Sequence, residues 1–125
     1  FPKSEHRKYD LFTQYALITT QEALLQSKLM EFEFNPYRVG VIWGSGNGGI
    51  LTTQQQIGEF YSGDGTPRFN PFFVPKMLVD TASGMISLKH GFKGINHTTV
   101  SACASATTAL IDAFNYIRWG KADVI

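Results

Sequence analysis

"TTVSACASATTAL", residues 98–110, decides how the fold is read. An apolar, β-branched run leads into Cys103, small residues surround it, and a helical pattern begins almost at once. Residues 98–102 read as a buried strand, and a helix is expected from about Ser105 to Trp119. Leu110, Ala113, Phe114 and Ile117 would form its apolar face, with Asp112, Asn115 and Arg118 turned outward. Gly120 suits the stop, and another strand is expected from Ala122.

Upstream, the same alternation holds. Residues 8–28 read as an amphipathic helix, with Tyr9, Phe12, Ala16 and Ala23 on its apolar face and Leu11, Tyr15 and Ile18 widening it. Asn35-Pro36 signals a turn, and "RVGVIW", residues 38–43, a short buried strand running into "GSGNGG". A second helix is expected from Thr52 to about Tyr61, opened by capping boxes at Thr52/Gln55 and Thr53/Gln56. "SGDGTPRFNP" is a turn-rich loop. A third helix then starts near Pro75 and runs without a break to Gly91, with Gly84 inside it for close packing. The order α, β, α, α, β, α, β predicts a layered α/β fold with a mainly parallel sheet.

Composition narrows the function classes. The 125 residues are 43% hydrophobic and 17% charged, an ordinary globular mix. Eleven basic against ten acidic residues leave a formal charge of +1 and no basic stripe, so nucleic acid has no electrostatic footprint here. Ten phenylalanines within 14% aromatic content suit a large apolar pocket, an interface or plain core packing. A single cysteine cannot form an intrachain disulfide, no secretory leader is visible, and no apolar run is long enough for a bilayer; these point to a cytoplasmic protein without membrane contact. The chain opens without Met and ends on Val124-Ile125, which read as a strand just starting, so a piece of a longer protein is expected.

"GSGNGG" matches G-x-G-x-x-G at Gly44, Gly46 and Gly49, and Asp64 follows Gly44 by twenty residues. A dinucleotide-binding oxidoreductase would need that acid at the tip of the next strand. Asp64 lies among chain breakers instead, and the expected helix starts late, at the Thr caps. The glycines then serve close backbone approach, to a neighbouring segment or to a ligand.

The corner at Cys103 admits two readings. A lone cysteine is commonly a small buried filler. A thiol at the start of a helix, however, sits at the positive end of the helix dipole, which favours thiolate over thiol. A sharp strand-to-helix turn also lifts a side chain above the sheet, as in a nucleophile elbow, and a backbone N–H there could bind an oxyanion. Ala102, Ala104 and Ser105 are small enough to admit a carbonyl. His6, His90 and His97 are the only histidines, and none is well placed as a partner; six residues of strand would put His97 ~20 Å from the thiol. One Cys and three scattered His suggest no metal site. On geometry alone nucleophile and filler both stay open.

The whole of "TTVSACASATTALIDAFNYIRWGKADVI" resembles the active-site region of β-ketoacyl-acyl-carrier-protein synthases, in particular the elongating type II ketosynthases of fatty acid synthesis. "RKYDLFTQYAL", "VGVIWGSGNGG", "NPFFVPKMLVD" and "GKADVI" resemble further blocks of that family, in family order. The resemblance implies a thiolase-like layered α/β fold, of which residues 1–125 are part of the N-terminal half. It implies a decarboxylative Claisen condensation, in fatty acid or polyketide-like synthesis. Cys103 would accept the acyl group as a thioester, and its own N–H would be one oxyanion donor. It also implies an acyl carrier protein as partner, a homodimer, and no resident cofactor, since phosphopantetheine arrives on the carrier. Asn47, Ala102, Phe73 and Val74 would line the acyl pocket, with Phe73 and Val74 reaching across the dimer interface. The position of Asn47 is often apolar in relatives, so its amide points to a shorter, more polar or unsaturated chain. Two catalytic histidines, a lysine and a glycine-rich gate belong to the family's later half, so this chain alone is expected to be inactive in condensation. A non-catalytic partner subunit is the rival within the family; such subunits typically lack the cysteine.

Overall fold

The computed structural model describes residues 3–125. Along the chain run α1 (Lys3–His6), α2 (Leu11–Ser27), β1 (Val41–Gly44), α3 (Ile50–Ser62), α4 (Phe73–Met77), α5 (Thr81–His90), β2 (Asn96–Thr99) and α6 (Ser105–Arg118). β1 and β2 pair in parallel, Val41 opposite Asn96 and Gly44 opposite Thr99. Parallel neighbours need a long crossover, and α3, α4 and α5 supply it.

Side chains of a strand alternate between faces, and β2 shows what each face meets. Asn96 and Thr98 bond to α5: the Asn96 amide donates to Ser83 O at 2.9 Å, and Thr98 Oγ1 lies 3.1 Å from Ser83 Oγ. His97 and Thr99 bond to α6, at Asp112 and Ser105 O. The sheet is thus layered between α5, backed by α2, and α6. Ala16 and Leu17 of α2 meet Ala82 and Ile86 of α5 in a core completed by Val39, Val41 and Phe92. Each large aliphatic buried there contributes about 1.5–3 kcal/mol. Asp10 opens α2 by accepting from Phe12 N at 3.5 Å, and Asn35 holds the Asn-Pro turn by accepting from Tyr37 N at 3.0 Å.

Several expectations need correction. The third helix is broken: Leu78 is extended (φ −68°, ψ 132°), separating α4 from α5. The cause is tertiary, because Gly49 N–H takes the Met77 carbonyl at 3.2 Å. α3 starts at Ile50 rather than Thr52, so the capping boxes do not form; Thr53 Oγ1 donates back to Gly49 O and Thr52 Oγ1 to Asp10. β2 lies two or three residues earlier than expected and includes His97, while Val100 is exposed. Thr13 joins the buried stripe of α2, but Leu11, Tyr15 and Ile18 are exposed. On α6 the buried positions are the small Ser105 and Ala109, whereas Leu110 is 72% and Phe114 63% exposed. Gly44 explains this, for a Cβ there would stand 2.5 Å from the Ser105 and Ala106 backbone, so the helix approaches β1 through its small residues. A Cβ at Gly84 would meet nothing within 4 Å, so close packing is not its purpose. After Gly120 (φ 67°) the chain makes a single parallel bridge, Val124 to Val39, in place of a full strand.

Candidate active site

β2 ends where Thr99 O accepts from Ser45 N at 3.2 Å. Ser101 then turns (φ −142°, ψ 46°), Ala102 takes a left-handed φ of 49°, and a 3-10 turn over Ala102–Ala104 leads directly into α6. A left-handed residue with a Cβ costs about 1–2 kcal/mol, so something must hold it. Ser105 does. It is 4% exposed; its Oγ accepts from Ser101 N at 2.9 Å and donates to Ala102 O at 2.8 Å. Thr99 Oγ1 donates to Ser105 O at 2.8 Å, and Ser101 Oγ lies 2.8 Å from Thr108 Oγ1. At ~1 kcal/mol net for each bond, the hydroxyls offset the strain at Ala102.

Cys103 sits at the apex of this turn and is exposed. Within these residues burial therefore gives the filler reading no support. The amides of Ala104 and Ser105 are committed to the carbonyls of Ser101 and Ala102. The Cys103 amide has no intrachain acceptor among the described residues, which leaves it free to donate to an oxyanion beside the thiol.

The glycine loop connects this corner to α4. Gly46 lies against Ala102, a Cβ there standing 3.8 Å from Ala102 O in ordinary contact. Gly48 (φ 49°) and Gly49 press on the carbonyls of Met77 and Lys76, inside the distance any Cβ would tolerate. The loop bearing Asn47 thus touches the corner through Gly46 and the C-terminal end of α4 through Gly48 and Gly49. Within these residues Asn47 and Cys103 are both exposed, and Val74 is 52% exposed. Phe73 is half-buried in a stack, its ring 5.5 Å from Phe69, which in turn lies 5.7 Å from Phe60.

The same loop is hostile to a dinucleotide. A pyrophosphate needs free N–H groups, but Gly49 N–H is taken and two carbonyls face the glycines. The Asp10 carboxylate adds negative charge, 2.9 Å from where a Gly49 Cβ would stand. Asp64 closes its own turn by accepting from Thr66 N at 2.9 Å, which holds its carboxyl below the usual range, and it pairs with Arg68 at 3.2 Å.

Neither His97 nor His90 is bonded to the thiol. His97 Nε2 lies 3.4 Å from Asp112 on α6, and His90 stacks on Phe92 at 5.6 Å, where burial and then Lys89 push its pKa down. His6 ends α1, far back in the sequence. Sequence reasoning missed two features of the site: the left-handed Ala102, which no local residue type signals, and the clamp at Ser105, which was read only as a small neighbour. A hydroxyl two residues past a corner, at the first position of a helix, was the available hint.

Comparison with known proteins agrees with this architecture. Residues 1–125 match the family described as "Beta-ketoacyl synthase, N-terminal domain". The chain is 39% identical to 3-oxoacyl-[acyl-carrier-protein] synthase 2 of Staphylococcus aureus over 98% of its length, and 36% identical to the protein of that name in Synechocystis sp. over 96%. It spans about 30% of the length of these curated relatives. Among solved structures, a beta-ketoacyl synthase from Burkholderia phymatum is 26% identical with a TM-score of 0.78, covering 97% of this chain and 30% of that one. A type II polyketide ketosynthase solved with its acyl-carrier protein has a TM-score of 0.87 at 24% identity, covering 98% of this chain and 35% of that one, a likeness of fold. The fold is the thiolase-like layered α/β fold expected from the sequence. No described helix is long and apolar enough to cross a membrane. With its entire length matched and its layers shared, the chain belongs to the beta-ketoacyl synthase N-terminal domain family.

Proposed function

We propose that this chain carries the acyl-accepting part of a 3-oxoacyl-[acyl-carrier-protein] synthase. The observation that supports this best is the exposed Cys103 at the apex of a strained turn, on the N-terminal end of a fourteen-residue helix. Filler cysteines are not presented in this way. In the proposed first half-reaction, Cys103 Sγ attacks the thioester carbonyl of an acyl group delivered on phosphopantetheine. The Cys103 N–H supports the tetrahedral oxyanion. The carbonyl–sulfur bond to the carrier breaks, the carrier thiolate leaves and takes up a proton, and the acyl group remains on Cys103. Decarboxylation of a malonyl unit on a second carrier then supplies the carbon nucleophile that removes it. The groups promoting that second half-reaction are expected from the remainder of the relatives' length.

An acyl carrier protein as partner is in keeping with the solved ketosynthase bound to its carrier. A homodimer is supported by β2, an edge strand whose outer side has no strand partner among the described residues. Ala102 and Asn47, joined through Gly46, are assigned to the acyl chain near the thiol, and Phe73 and Val74 to the acyl pocket across the dimer interface. The exposed amide of Asn47 favours a short or polar chain.

The test is mass spectrometry of the protein after incubation with an acyl thioester. One acyl group per chain on Cys103, absent from Cys103→Ser, is the expected result. A folded protein that stays unmodified would refute the proposal.

A further inference from the structure

We infer that Ser105 is the positioning residue of the Cys103 corner: its buried hydroxyl, with its carbonyl tethered by Thr99, keeps Ala102 left-handed and so keeps the Cys103 amide out of the helix and available to an oxyanion. The inference rests on the acyl-transfer reading above.

The geometry is specific. Ser105 Oγ accepts from Ser101 N and donates to Ala102 O, bracketing the one residue of the corner with a positive φ. Both bonds run backward, out of the helix. Ala104, at the N-cap, makes no side-chain hydrogen bond to the helix. Thr99 Oγ1 ties the first carbonyl of α6 to the end of β2, and the missing Cβ of Gly44 lets that first turn lie against β1. Ser105 is therefore fixed by the sheet and in turn fixes the corner. Without the hydroxyl, Ala102 is free to relax to a negative φ, α6 can extend backward, and the Cys103 N–H would be consumed by a carbonyl of the preceding turn.

Two reactions at the same sulfur separate this role from a general structural one. Acylation by the hexanoyl thioester of N-acetylcysteamine passes through an oxyanion: the acyl–Sγ bond forms, the thioester C–S bond breaks, and the N-acetylcysteamine thiolate leaves and is protonated. Alkylation by iodoacetamide expels iodide and forms no oxyanion. Ser105→Ala is expected to slow acylation at least about tenfold, in line with loss of an oxyanion donor, while alkylation stays within about twofold. Equal effects on the two rates, or no effect on either, overturn the inference. Should Ser105→Ala fail to fold, Thr99→Val removes only the tether and is read by the same ratio, with a selective loss of about threefold expected and an unchanged ratio overturning the inference. A wild-type protein that is alkylated but never acylated overturns the acyl-transfer reading and this inference with it. Wild-type acylation with an unchanged ratio in the variant overturns this inference alone.

Discussion

β1 and β2 are parallel neighbours, and each feeds a helix through a tight connection, yet the two connections are built in opposite ways. Between β1 and α3 the chain uses "GSGNGG", and shape comes from absent side chains: other backbone segments press into the space. Between β2 and α6 it uses "VSACA", with no glycine at all, and shape comes from hydroxyls that hold an alanine in a left-handed conformation. The first connection is made to be packed against. The second is made to present something. A glycine at Ala102 would adopt the same φ at lower cost, but it would also let the turn wander. Strain that is kept and then clamped sets this corner apart from the first, and the proposed role of Cys103 draws on it.

The contrast can be broken at graded strengths. Gly49→Ala should do most damage, because its Cβ would overlap the Lys76 carbonyl and meet Asp10; a loss of about 4 kcal/mol, or failure to fold, is expected in urea unfolding. A loss under about 1 kcal/mol would show that the loop yields and is not packed as described. Ala102→Gly should act in the other direction, stabilising the fold by up to about 1 kcal/mol as the left-handed strain is relieved. Destabilisation would mean that Ala102 is not strained. Gly46→Ala should do least, within about 0.5 kcal/mol, since its Cβ would meet Ala102 only at 3.8 Å. A large loss there would erase the distinction drawn between glycines inside one loop.

The same contrast explains what could be read from the sequence. The alternation of strands and helices was legible, because hydrophobic period and turn residues are local signals. So were the glycine stops at Gly91 and Gly120, both left-handed as expected. The break at Leu78 was not, since it depends on Gly49 reaching over to Met77 from nearly thirty residues away. Which side of α6 is buried within these residues was not legible either. Its large apolar residues looked like core, but Gly44 admits the helix by its small side, leaving Leu110, Phe114 and Ile117 outward. At the corner, the strand-to-helix setting of Cys103 was legible. Ala102 was not, because alanine gives no warning of a positive φ, and neither was the clamp that makes it possible.

The bridge between Val39 and Val124 has a consequence for how the chain comes into being. Arg38 pairs bidentately with Asp123 across 85 positions of sequence, and Gly40 N–H donates to Val124 O beside it at 2.9 Å. A ribosome releases residues in order, so the residues around β1 wait unsatisfied while the following eighty are made. Parallel pairing with β2 must wait as well, for residues 96–99. Until α5 has been made, Val39 and Val41 have only α2 and each other for cover. The nascent chain therefore emerges with its first strand exposed, and closes on it only when residues 96–99 and then 123–124 have cleared the tunnel.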